Sequence, residues 1–201
     1  MSHKVLLPAL ALLLASFAMA QKKQIAEPPA RPKSPSPAVT DEFIQKQFGD
    51  SCTVLAGPPQ FVADLDGDGV DDLVVAARCK DPLRDRDEFE FTVTDPYHAF
   101  FGYGNVQITS TFASDEPERK GVCLLIIHGD GPNAWRSEKP KGKFLLINLP
   151  FKDVSVKRLT LKKRTALGVY MEEVSEGDGT SSVVFWDGKK YRYQQLGGMM
   201  D

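Results

Sequence analysis

From Thr40 onward apolar positions mostly alternate with polar ones, and that period of two predicts strands. "FVADL" (61–65) and "DLVVAAR" (72–78) form one pair on either side of an aspartate-rich turn. "EFEFTVT" (88–94), "NVQITSTF" (105–112), "ALGVYMEEV" (166–174), "SSVVFW" (181–186) and "KKYRYQQL" (189–196) continue the series. Between the last two sits Asp187-Gly188, a dipeptide favoured in two-residue hairpin turns. "GVCLLIIHG" and "GKFLLINLP" read differently, because their apolar runs at 122–127 and 144–149 are continuous. Runs of that kind predict central strands covered on both faces. Helical signals are few. Thr40 can cap a short helix over "TDEFIQKQFG", with Phe43 and Phe48 inward and Gly49 ending it, and one helical turn fits near "PNAWRSE". The expected fold is mainly antiparallel β, a sheet or sandwich, with α+β (one short N-terminal helix) as the variant.

The chain before Thr40 has another character. Met1–Lys4 is short and basic, and "VLLPALALLLASFAMA" is apolar and ends in Ala18-Met19-Ala20. That is the form of a signal peptide cleaved after Ala20, which places the protein in the periplasm or medium with no membrane span after cleavage. Residues 21–39 carry five prolines between Pro28 and Pro37 among Lys, Arg and Ser, the composition of an extended tether. The expected organisation is a signal peptide (1–20), a linker (21–39) and one β-rich domain (40–201).

Charge narrows the function classes. The formal net charge is −2, which gives no nucleic-acid footprint. "VKRLTLKKR" (156–164) is locally basic, but apolar residues interleave it as in a strand with one solvated face. Cysteine usage adds a covalent constraint: with three cysteines, at most one intramolecular disulfide forms. Cys123 lies in the apolar run "VCLLII" and reads as a buried small hydrophobe. Cys52 and Cys79 flank the aspartate turn after polar or basic residues, so a Cys52–Cys79 bridge is expected.

The aspartate turn carries the strongest chemistry. Counted from Asp64, carboxylates stand at positions 1, 3, 5 and 9 (Asp64, Asp66, Asp68, Asp72), Gly69 at position 6 permits a sharp bend, and Val70 at position 7 offers a carbonyl. Unpaired, such charges repel by about 1 kcal/mol per pair at ~4 Å in water and about 4 at an effective dielectric of ~20. Hard oxygen donors in this number suit calcium best. An EF-hand does not fit: position 12 is Val75 where that loop needs an acid, position 8 is Asp71 where it is apolar, and a strand follows. Residues 61–77, "FVADLDGDGVDDLVVAA", instead resemble the D-x-D-G-D-G-x-x-D turn of FG-GAP and VCBS-type repeats, the calcium loops of integrin-like propeller blades. The resemblance implies calcium held by the side chains of Asp64, Asp66, Asp68 and Asp72 and the carbonyl of Val70, with Asp71 at a variable position. The alternative is a polar hairpin tip with no ion. The signature occurs once; Gly-Asp-Gly at 129–131 and 177–179 lacks the preceding aspartates, so a complete propeller is not expected.

Enzyme signals are thinner. "CLLIIHGDGPNAW" sets His-Gly-x-Gly after a strand, as in the oxyanion loop of α/β-hydrolases, but no G-x-S-x-G elbow exists in the chain, so His128 reads as a polar strand end. Tyr97, Phe100, Phe101 and Tyr103 around His98 form either a stacking platform for sugar rings or core and hairpin filler. Adjacent Glu172 and Glu173 would point to opposite strand faces and form no catalytic dyad. The expectation is an exported calcium-binding β domain that serves as an interaction module for an extracellular protein or glycan. A small hydrolase of envelope polymers is the alternative.

Overall fold

The computed structural model describes residues 38–102, 120–162, 164–173 and 181–196, all within the compact unit Ser36–Asp201. The signal peptide, most of the linker, the strand at 105–112, Tyr103 and the 177–179 triplet lie outside the described residues.

The chain opens with helix α1 (Asp41–Phe48), capped by the Thr40 hydroxyl, which accepts the Phe43 N–H at 3.2 Å. Ile44 and Phe48 are buried, and Gly49 ends the helix at φ 83°. Three short strands and one long one follow: β1 (Cys52–Val54), β2 (Phe61–Ala63), β3 (Asp72–Cys79) and β4 (Thr92–Thr94). Helix α2 (Pro96–Phe100) then precedes β5 (Val122–His128), a 3-10 helix (Gly131–Arg136) and β6 (Gly142–Leu146). The chain closes with β7 (Phe151–Thr160), β8 (Thr165–Glu173), β9 (Ser181–Trp186) and β10 (Tyr191–Gln195).

These strands make two sheets. The first runs β1-β3-β5-β6-β4, with β2 also paired to β3; every pairing is antiparallel except β4–β6. The second is an antiparallel meander, β10-β9-β8-β7. Both apolar runs become central strands, as expected from their continuity. Alternate side chains of β3, β5 and β6 serve two cores. Val75, Ala77, Leu125, Ile127 and Leu145 join Ile44 and Phe48 of α1, whereas Val74, Ala76, Leu124, Ile126 and Leu146 meet Val169, Met171 and Val184 of the second sheet. The fold is therefore mainly β, a layered sandwich, and among the described residues neither a closed barrel nor a propeller blade repeat occurs. No helix among them is long and apolar enough to cross a membrane.

Three details differ from the pattern reading. "EFEFTVT" is extended only at Thr92–Thr94; Phe89 N–H bonds to the Asp85 carbonyl at 2.9 Å, Glu90 takes φ 50°, and this turn delivers buried Phe91 against Phe48, centroids 5.4 Å apart. Core docking overrides local β propensity there. α2 went unpredicted although its start carries a signal, Asp95 capping the His98 N–H with Pro96 at the first helical position. The last hairpin forms as expected, but Gly188-Lys189 is its central pair: Asp187 N–H bonds to the Lys190 carbonyl, and Asp187 Oδ1 accepts from Lys189 and Lys190.

The aromatic segment at 97–101 is α2 docked on β10. Tyr97 packs edge-on against Tyr193 at 5.2 Å, while Phe100 and Phe101 remain 48% and 46% exposed. Its base is packing, and the rings of Phe100 and Phe101 are open at its rim.

Candidate metal centre

The acidic turn joins β2 to β3 and is wound around its own carboxylates. Asp64 Oδ1 accepts the N–H groups of Gly67 and Asp68 (2.7 and 3.1 Å), and Oδ2 accepts that of Gly69 at 2.9 Å. Asp66 Oδ1 takes a second bond from the Asp68 N–H at 3.2 Å, and Asp68 Oδ1 accepts from Val70 at 2.8 Å. Gly67 and Gly69 bend the loop at φ 80° and 87°, values that favour residues without a Cβ. Leu65, between Asp64 and Asp66, is buried in the core shared with the second sheet.

Oxygens of Asp64, Asp66 and Asp72 lie within 4.8 Å of one another. Asp68 stands beside this group with Oδ2 turned to Lys141 Nζ at 2.7 Å, and Lys141 also reaches Asp66 Oδ2 at 2.6 Å. Val70 sits on the same turn with its N–H spent on Asp68. Asp71 is exposed and outside the group.

Asp72 is the buried floor of the site, 1% exposed. Its Oδ2 accepts the Leu65 N–H at 2.7 Å and its Oδ1 the Gly129 N–H at 2.8 Å, so it ties the turn to the end of β5. Burial pushes its carboxyl up to about 6; the Gly129 and Leu65 donors pull against that shift, and the charge of Asp66 adds to it. Lys141 hydrogen-bonds both partners, which raises its own ammonium and lowers the Asp68 carboxyl.

Beneath Asp66, whose side chain is 3% exposed, lies His128 with Nδ1 at 3.5 Å. Its Nε2 meets the Tyr191 hydroxyl at 2.6 Å. Burial lowers the imidazole and raises the phenol well above its ordinary value, so both are neutral. A Tyr191 hydroxyl donating to Nε2 leaves the Nδ1 proton facing Asp66. Phe144, Trp186 and Tyr191 surround the ring at centroid distances of 4.8, 4.9 and 5.7 Å. His128 is indeed a strand end, but a buried one, 2% exposed, at the seam where the β9–β10 hairpin meets the first sheet.

Sequence reasoning missed Gly129, Lys141, His128 and Tyr191 as parts of this site. One signal was available: four acids in one turn call for a cation, and "KPKGK" (139–143) holds three. Gly129 is required for space. A Cβ there would meet Val70 Cγ1 and the Ala134 carbonyl carbon at 2.8 Å and overlap the Asp71 carbonyl oxygen. Gly129→Ala is therefore expected to destabilise by about 1–3 kcal/mol through overpacking. Urea denaturation measures it; a change under ~0.5 kcal/mol, the range of neutral surface substitutions, would show that the loop yields freely.

Compared with known proteins, the chain matches no family model, no curated protein and no solved structure. The likeness to FG-GAP loops thus rests on residues 61–77 themselves.

Proposed function

We propose that the β2–β3 turn is a calcium site that fixes this hairpin in an exported interaction module. The observation that carries the reading is the convergence of Asp64, Asp66 and Asp72 within 4.8 Å. Lys141 bonds Asp66 and Asp68, but among the described residues Asp64 and Asp72 take hydrogen bonds only from backbone N–H groups. One ammonium offsets only one of the four carboxylate charges, and a divalent oxygen-seeking cation is the ligand the rest suit. Asp64, Asp66 and Asp72 would hold the ion, with Asp68 and the Val70 carbonyl as the further donors that the FG-GAP resemblance implies. The ion would be structural and join the hairpin tip to the seam of the two sheets. Export is supported by the signal-like N-terminus and by a Cys52–Cys79 disulfide in the fold. The partner of such a module would be an extracellular protein or glycan.

A second reading has its own observation. Lys141 Nζ bonds two aspartates at 2.6 and 2.7 Å, and the lysine can itself be the cation of a metal-free staple. The hydrolase alternative leaned on His128, whose buried ring is held by Tyr191 and Asp66, and we do not propose it.

Calcium titration separates the two. Extracellular calcium modules bind at about 10⁻⁴ to 10⁻³ M, so about 10 mM calcium should stabilise by about 1.4–2.7 kcal/mol relative to EDTA. For a domain of this size that shifts Tm by roughly 3–10 °C. Asp66→Asn should abolish the shift. Lys141→Met should tighten calcium about thirtyfold, since a lysine charge and a divalent ion at ~4 Å in water repel by about 2 kcal/mol. No shift in wild type, with Lys141→Met destabilised and unrescued by calcium, would establish the staple instead.

A further inference from the structure

Cys52 and Cys79 form a disulfide across the β1–β3 pair, where they are direct register partners. Cys123 is a buried free thiol on β5, and its Sγ lies 3.2 Å from Cys79 Sγ. All three cysteines are fully buried in the core that holds α1. A thiol at contact distance from a disulfide sulfur is placed for exchange, because exchange is attack of one sulfur on another.

We propose that Cys79 is a shared sulfur whose disulfide partner can change from Cys52 to Cys123, moving the covalent tie from the β1 edge to the β3–β5 pair. In the step Cys123 gives up its proton and its thiolate attacks Cys79 Sγ. The Cys79–Cys123 bond forms, the Cys52–Cys79 bond breaks, and its electron pair leaves on Cys52 Sγ, which takes up a proton. No oxidant or reductant is consumed.

The two bridges do different work. β1 is three residues long and joins the sheet only through β3, so the disulfide is its covalent anchor, and α1 leads directly into it. β3 and β5 are already paired over six positions, Leu73↔Ile127 to Arg78↔Val122, so their alignment does not depend on a covalent tie. Moving the bridge therefore frees the α1–β1 edge without weakening the sheet centre. Cys79 lies diagonal to Cys123, whose register partner is Ala77. Diagonal neighbours stand ~7–8 Å apart, beyond the ~4.4–6.8 Å usual between disulfide Cα atoms, so the end of β3 must close on β5. Cys79 is the last residue of β3, and the backbone bonds that hold this end are those of the Cys79 N–H to Gly121 and the Lys80 N–H to Ser51, each 2.9 Å. Burial pushes the Cys123 thiol up to about 12 and keeps the exchange slow while the edge is closed.

The cysteines fall on separate tryptic peptides, 47–78, 79–80 and 121–136, so alkylation maps the bridge directly. Oxidised Cys52→Ala, acid-quenched and alkylated in denaturant, is expected to show no labelled cysteine and a 79–80/121–136 cross-linked peptide. A folded Cys52→Ala protein with both remaining thiols labelled overturns the proposal. Should that variant not fold, the wild type decides. Held at pH 8 a few degrees below its Tm and quenched over time, its label is expected to spread from 121–136 to 47–78. Label confined to 121–136 at every time point overturns the proposal.

Discussion

Asp72→Ala is expected to lower the stability of the calcium-free protein by about 2–5 kcal/mol and to remove any calcium-dependent shift. Two buried N–H groups, of Leu65 and Gly129, lose their acceptors, at about 1–3 kcal/mol each when left unpaired. Asp72→Asn keeps the shape but turns an amide donor toward one of those N–H groups, so it falls between Asp72→Ala and wild type. The same residue sets a pH dependence. Its folded carboxyl, at about 6, lies above the unfolded value of 3.8, so the folded state holds this proton more tightly. Its contribution is fully present below about 4 and is lost as pH rises through about 6. His128 acts in the opposite sense: burial lowers it from 6.5, so its contribution is complete above that pH and is lost as pH falls. The clean measurement is a difference. In EGTA, the urea midpoint of Asp72→Asn relative to wild type should rise between pH 4 and 6, while His128, Lys141, Tyr191, Asp64 and Asp66 are common to both. A flat difference would mean that Asp72 titrates in the folded state as it does in the unfolded chain.

How much of this was legible in advance follows from distance along the chain. The turn was readable because its geometry is local: Asp64 organises the amides of residues 67 to 69, and Gly67 and Gly69 make the bends. The two-sided burial of β5 and β6 was readable for the same reason, as each strand states its environment in its own side chains. The other half of the site was not local. Gly129 bonds Asp72 across 57 residues, Tyr191 meets His128 across 63, and Lys141 reaches Asp66 across 75. Those contacts depend on which strands become neighbours, and alternation fixes a strand's faces without naming its partner. β4 shows the same limit. Its three residues pair in parallel with β6, and nothing in "TVT" distinguishes that from an antiparallel edge.

Cys52–Cys79 lay between these cases, since exclusion of Cys123 by its apolar setting left one pair, and the structure joins that pair. What the sequence could not express is that the excluded cysteine ends up against the same sulfur. This makes the three cysteines unequal in a way that stability measurements should resolve. Loss of Cys79 removes the sulfur common to both bridges. The native bridge closes a 27-residue separation, for which the chain-entropy relation gives about 3.5 kcal/mol. Cys79→Ala is therefore expected to lower Tm by roughly 7–14 °C, at 2–4 °C per kcal/mol for a domain of this size. The double variant Cys52→Ala/Cys79→Ala should match it, because the first substitution leaves nothing further to break. Cys52→Ala alone should lose much less, since a Cys79–Cys123 bridge spans 44 residues and the same relation gives about 4 kcal/mol. With dithiothreitol present, Cys52→Ala should fall to the level of Cys79→Ala. Equal losses for the two single variants under oxidising conditions would show that only the Cys52 pairing stabilises this fold, with Cys123 a packed thiol and nothing more.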